Sequence, residues 1–431
     1  MKTEIKQYKN GITLAVTRME GYESVAFNIF VETGSINETD GYYGISHFIE
    51  HTLFKGTKKR NAYQIAKELD SLGANVNAFT DCEETTYFTK STNENLEKCV
   101  EILADMFYNS TFDAKELARE KKVVCEEIAM YNDDAYSKSN LLVNSLIYNG
   151  SEYARDVAGT KQSVRRLNKE KILDYMQKHY TPKNTIIAFC GNITQKQAEK
   201  LMEKYFLSHY GLTLKDEVAV ALVKEPENRK TAIINQTIKQ YKDNEQANIC
   251  ISYKAISNYS DEKYSLNILN DALGRGMSSR LFQRIREKLG LVYNISCSCN
   301  CNIAGGDLTI QFATSTKNAP LALCAIREEI DELVKSGLTE TEFLDTKNNL
   351  ISSIKLSYEN TSSVNLGVCK HIMSYGRLIS KNEIIEKVKE VTLDDVNQLI
   401  KKIFSKQKYC ISYVGKNTKI DLLKNYSTKS N

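Results

Sequence analysis

The chain has 431 residues, 42% of them apolar and 26% charged, and its 58 basic and 54 acidic side chains leave a net charge of +4. This composition excludes a disordered or collagen-like chain. The near-balance of charge argues against nucleic acid or an anionic membrane as the main partner, and no apolar run approaches the ~18 residues of a membrane span.

From its amino terminus the chain shows neither an apolar signal with a small-residue cleavage site nor an Arg/Ser-rich leader, so a cytoplasmic location is expected. Strands are predicted at 12–17 and 24–33, and helical periodicity follows over 44–54 and 62–72. Strands return at 75–80 and 85–91, before long helices over 95–108 and 114–132. The second half offers strands at 247–253, 293–301 and 307–314 and helices at 264–273, 319–335 and 340–359. Strands clustered between helices indicate an α+β chain, with helices packed over largely antiparallel sheets. Eleven cysteines, an odd number, sit in apolar runs such as Ile249-Cys250-Ile251. They read as small buried hydrophobes in a reducing compartment.

Pro226, one of three prolines, lies in the polar stretch 224–230. It suggests a linker over 216–230 between domains at 1–215 and 231–431. The two halves look related. Residues 164–191 align without a gap on 388–415, pairing Val164 with Val388, Ile172 with Val396, Tyr180 with Phe404 and Gly191 with Gly415. Each segment reads as a capped amphipathic helix, a polar turn and an apolar strand.

The sharpest chemical signal is Gly44-Ile45-Ser46-His47-Phe48-Ile49-Glu50-His51-Thr52-Leu53. Ile45, Phe48, Ile49 and Leu53 make one buried stripe. His47 and His51, at i and i+4, project from one face a turn apart and can bind one Zn²⁺ at about 2.0–2.1 Å. Glu50 lies close to that face, placed to take a proton from water. The chain has only five histidines, so this arrangement is a rare coincidence of composition. A catalytic zinc needs a third protein ligand. The helix over 114–132 carries Glu120 and Glu127 seven apart on one face, with Val123 and Val124 between them to bury part of it. Spacing alone leaves Glu126 and Glu127 both open as the ligand.

With these residues in place, the chain resembles the pitrilysin/insulinase-type zinc metallopeptidases, the inverzincins, over nearly its whole length. Its length is similar to that of the short two-domain branch, with bacterial processing-protease-like proteins and the mitochondrial processing peptidase beta subunit. The resemblance implies two related domains, each a mostly antiparallel sheet covered by helices, facing each other around a cavity, with the second domain inactive. It implies one Zn²⁺ held by His47, His51 and Glu127, Glu50 as general base, and Glu120 as a supporting carboxylate. Gly73-Ala74-Asn75-Val76-Asn77-Ala78-Phe79-Thr80 resembles the family's substrate-binding edge strand, which implies that Asn77 and Ala78 grip the peptide backbone. Arg286 and Tyr293 match the family's R-x6-Y element, which contacts substrate. The expected activity is endopeptidase cleavage of unstructured or extended peptides. A homodimer, or a heterodimer with a related subunit, is expected to complete the chamber. A non-catalytic or partner-dependent subunit of a processing protease is the alternative. Cys297, Cys299 and Cys301 alternate on a predicted strand and read either as ligands for a soft metal or as small residues facing core or cavity.

Overall fold

The computed structural model describes residues 2–220, 236–405 and 408–427. Most of the expected linker, Pro226 included, lies outside the described residues. The first sheet contains β1 (Lys2–Tyr8), β2 (Thr13–Arg18), β3 (Ser24–Val31), β4 (Asn75–Thr80), β5 (Thr85–Thr92), β6 (Thr185–Gly191) and the short β7 (Glu217–Val218). Their order is β4-β5-β3-β6-β2-β1-β7. Only β2 and β6 run parallel; the other pairs are antiparallel. The second sheet is built from β8 (Gln236–Tyr241), β9 (Gln246–Ala255), β10 (Asn294–Asn302), β11 (Gly305–Ser315) and β12 (Tyr409–Gly415), in the order β10-β11-β9-β12-β8. Within it only β8 and β12 are parallel.

The two orders are the same walk. β4-β5-β3-β6-β2 in the first sheet matches β10-β11-β9-β12-β8 in the second, down to the parallel pair. The helix Lys169–His179 precedes β6 as the helix Leu393–Phe404 precedes β12. Helix and strand starts are both offset by the 224 positions read from the sequence.

Two compact units result, and neither is a contiguous stretch of chain. One comprises Met1–Ile128, Arg155–Lys224 and Leu356–Ile379; the other comprises Ala129–Ala154, Glu225–Lys355 and Ser380–Asn431. Each half of the chain therefore contributes a helix to the other unit's sheet. In the first unit, β3 and β6 are buried on both faces, which is why they read as continuous apolar runs. Phe27, Ile29 and Val31 face one core cluster, while Phe30, Ala15, Ile186, Ala188 and Cys190 face the helix Thr361–Tyr375 through Val364, Val368, Cys369 and Ile372. Asn365 of that helix donates from its amide to the carbonyls of Ala26 (3.3 Å) and Ala188 (3.1 Å).

The second unit is covered reciprocally. The chain's first long helices are α1 (Ile45–Leu53), α2 (Ala62–Ser71), α3 (Asn93–Asn109), α4 (Ala114–Asp133) and α5 (Ala135–Ile147). α5 lies on β9 and β12, where Ser412 Oγ donates to the Ser139 carbonyl at 2.6 Å, and from the neighbouring β11 Gln311 Nε2 donates to the Tyr136 carbonyl at 3.0 Å.

Several elements escape the sequence reading. β1 is half-buried, so its alternation is weak. The helix expected over 340–359 ends at Ser357, and the separate helix Thr361–Tyr375 follows, capped by Asn360, whose Oδ1 accepts from the Ser362 and Ser363 N–H groups.

Candidate metal centre

α1 is preceded by its N-cap, Gly44, whose φ of +84° is left-handed. A Cβ there would also stand 2.6 Å from the Ala158 carbonyl oxygen, so glycine is required twice over. The first turn of α1 is capped from outside the helix: the buried carboxylate of Glu38 accepts from the N–H groups of Gly44 (2.7 Å) and Ser46 (2.9 Å). Burial pushes Glu38 up to about 7 despite these bonds. Ile45, Phe48, Ile49 and Leu53 are fully buried, as their spacing predicts. That fixes the helix rotation and puts His47 and His51 side by side, ring centroids 4.6 Å apart.

α4 brings a carboxylate to the two histidines. Leu117, Val124, Cys125 and Ile128 anchor it to the core. Val123 is half-exposed, so only Val124 of the expected pair is buried. Glu126 is exposed, whereas Glu127 brings Oε2 to 3.2 Å from His51 Nε2 and 3.7 Å from His47 Nε2. The alternative left open by spacing is thus decided by which face of α4 meets α1. Among the described residues, His47, His51 and Glu127 are the only group of three or more His, Cys, Asp or Glu with ligand atoms within 4.8 Å of one another.

The donor set fits a bound metal ion. Glu127 Oε2 is buried and has no hydrogen-bond donor, although it lies between two imidazoles. A buried carboxylate oxygen of this kind needs a cation. His47 is held as the neutral imidazole a ligand must be: burial, with His51 alongside, lowers it to about 4. Two imidazoles and one carboxylate suit a zinc site with an open position.

Glu120 is placed behind this group rather than within it. Its Oε2 lies 3.5 Å from His51 Nδ1, and its Oε1 is 2.9 Å from Lys55 Nζ. Burial opposes its charge, but His51 and Lys55 outweigh it and hold the carboxyl below its usual range. A carboxylate on the far nitrogen of a ligating histidine fixes the ring's tautomer and orientation. Glu50 is a half-buried carboxylate whose Oε2 accepts from Thr80 Oγ1 at 2.7 Å. Burial is the first cause raising it, opposed by the Thr80 bond and by His51.

Thr80 ends β4, which is an edge strand of the first sheet. The turn bond from Asp81 N–H to the Glu84 carbonyl (2.8 Å), with the β4–β5 register, sets the phase of the ladder. Residues 75, 77 and 79 bond to β5, while Val76, Ala78 and Thr80 turn their N–H and C=O groups to the open edge. Asn77 Oδ1 accepts from the Ala78 N–H at 2.9 Å, so one edge group is covered by a neighbouring side chain.

The remaining candidates belong to the second unit. Arg286 lies in Phe282–Lys288 with its guanidinium 4.5 Å from the Phe282 ring centroid, and Tyr293 is exposed just before β10, its N–H bonded to the Ala313 carbonyl at 3.0 Å. Cys297, Cys299 and Cys301 pack against that unit's core. Their ligand atoms form no metal-binding group among the described residues, and burial raises all three thiols. The soft-metal reading therefore gives way to the packing one. A strand puts alternate side chains on one face, but too far apart to share an ion.

Three contributors were missed as sites: Glu38, Lys55 and Thr80. Glu38 carried a faint signal as an acidic residue shortly before a predicted helix start. Lys55 and Thr80 carried none, since their partners, Glu120 and Glu50, are distant in sequence.

Two family models match the chain, one described as insulinase (peptidase family M16) over residues 14–161 and one as the peptidase M16 inactive domain over 166–350. A Bacillus subtilis protein named as an uncharacterized zinc protease, YmxG, is 33% identical over 95% of this chain and 98% of its own length. A protein of Rickettsia bellii, also named as an uncharacterized zinc protease, is 30% identical over 93% of this chain and 95% of its own. Among solved structures, a protease from Helicobacter pylori superposes with a TM-score of 0.87 at 21% identity, covering 96% of this chain and 99% of that one. This last likeness establishes the shared fold.

Proposed function

The chain belongs to the insulinase family of peptidases, family M16, and from that premise we propose that it is a zinc-dependent endopeptidase acting on unstructured peptides or extended protein segments. The observation that carries the reading is the buried, donorless Oε2 of Glu127 between His47 and His51, with the Glu50 carboxylate on the same helix.

His47, His51 and Glu127 would hold one Zn²⁺, which when bound supplies Lewis-acid activation of water and of the scissile carbonyl. Glu50 takes a proton from the attacking water and delivers it to the leaving amine. Glu120, fixed by Lys55, keeps the His51 ring in its ligating orientation. The peptide adds to the sheet along β4, pairing with the outward N–H and C=O groups of Val76, Ala78 and Thr80. Asn77 then exchanges its bond to the Ala78 N–H for the peptide backbone. Such pairing needs an extended substrate, so a folded protein is a poor one. Arg286 and Tyr293 are proposed as further substrate contacts on the family resemblance. Dimerisation is proposed on the same ground, with solution mass as its check.

The reading is tested by incubating zinc-loaded protein with unstructured peptides and analysing the products by mass spectrometry. Internal cleavage that a chelator abolishes and Zn²⁺ restores is expected. A zinc-loaded chain that leaves every such peptide intact sinks the reading.

A further inference from the structure

Both partners of the Glu50–Thr80 hydrogen bond are anchored by one short stretch of chain. Within residues 34–38, Glu38 caps α1 through Gly44 and Ser46. Ser35 and Ile36 of the same stretch donate their N–H groups to the Asp81 (3.3 Å) and Cys82 (3.0 Å) carbonyls, directly after Thr80. The approach is so close that a Cβ on Gly34 would stand 2.2 Å from the Asp81 oxygen. The far side of this turn is held by Glu84, buried and paired with Lys370 Nζ at 2.7 Å. The end of β4 and the start of α1 are thus locked to a common frame, and the 2.7 Å bond from Thr80 Oγ to Glu50 Oε2 spans it. Among the described residues Thr80 is the only hydrogen-bond donor to Glu50, which leaves Oε1 open.

Thr80 also turns its main-chain N–H and C=O to the open edge of β4. One residue therefore touches the proposed base with its side chain and offers its backbone to the proposed peptide. We propose that Thr80 is a positioning residue of the hydrolytic site: its hydroxyl holds the Glu50 carboxylate in one rotamer, with Oε1 toward the reacting water, and ties that rotamer to the strand that aligns the peptide. Without the hydroxyl the carboxylate turns freely about its side-chain torsions, and the loss falls on the proton-transfer step rather than on peptide pairing.

The inference rests on the hydrolase reading, and its test separates the two. Wild type, Thr80→Val, Thr80→Ala and Thr80→Ser are assayed on one unstructured peptide with bound zinc measured in each. The two variants lacking the hydroxyl are expected to lose about 10- to 100-fold in kcat, with KM within about threefold and zinc unchanged. Thr80→Ser is expected to recover kcat to within about threefold of wild type. If Thr80→Val does not fold, Thr80→Ala carries the comparison. An active wild type with kcat unchanged in a hydroxyl-less variant, or with Thr80→Ser as impaired as Thr80→Ala, overturns this proposal alone. A zinc-loaded wild type that is inert overturns the hydrolase reading and this proposal with it.

Discussion

Glu50 and Glu127 are both carboxylates near one pair of imidazoles, and their surroundings give them different work. Glu127 Oε2 has no donor and lies between two ring nitrogens. Removing it as Glu127→Ala should lower bound zinc, read by elemental analysis, while Glu126→Ala on the exposed side of α4 should leave it unchanged. Glu50→Gln should keep full zinc and lose at least about 10²-fold in turnover. Glu38 lends itself to a different measurement. Its folded value of about 7 exceeds the ordinary 4.5, so the folded state holds the proton more tightly than the unfolded state does. Its contribution favours folding below the ordinary value and is lost as pH rises through the folded one. Stability should therefore fall between about pH 5 and 7 by up to ~3 kcal/mol from this group, and urea titrations of Glu38→Gln across that range should show a flatter profile.

At the scale of elements, tight approaches set tolerance. Gly274 ends the helix Glu262–Gly274 against β10, where an added Cβ would stand 2.4 Å from that of Cys297. Gly274→Ala should cost about 1–3 kcal/mol of stability in denaturant unfolding, since backbone and a buried cysteine must both shift. Lys370 tests the exchanged helix Thr361–Tyr375. Lys370→Met leaves the carboxylate of Glu84 buried and unpaired, and with the lysine itself partly exposed the cost should be about 1–2 kcal/mol. A melting temperature equal to wild type would show that Glu84 finds another partner.

At the scale of the molecule, the reciprocal exchange of helices means that neither half of the chain holds a complete core. Residues 1–220 alone lack the helix Thr361–Tyr375, which would bare the face formed by Ala15, Phe30, Ile186, Ala188 and Cys190. That fragment should bind a hydrophobic dye and melt without a cooperative transition. Co-expression with residues 221–431 should restore cooperativity. A sharply melting, dye-free fragment would show that the first sheet is stable without its borrowed helix.

The local patterns were legible because they need only one element to be read. The stripe of Ile45, Phe48, Ile49 and Leu53 determines how α1 turns, and with it the juxtaposition of His47 and His51. The repeat at 224 positions foretold two sheets of one topology. Tertiary structure decided what depends on a second element. Periodicity and spacing left Glu126 and Glu127 open, and Glu127 entered only with the family resemblance; the packing of α4 on α1 is what turns Glu127 toward the histidines and sets Glu120 beside His51 Nδ1, and the cysteines of β10 pack against the core. Tertiary structure also brought Thr80 to Glu50 and a helix from each half onto the other unit's sheet. Periodicity records which side of an element is buried; it does not record what buries it, because that partner is chosen by packing between segments far apart in the chain.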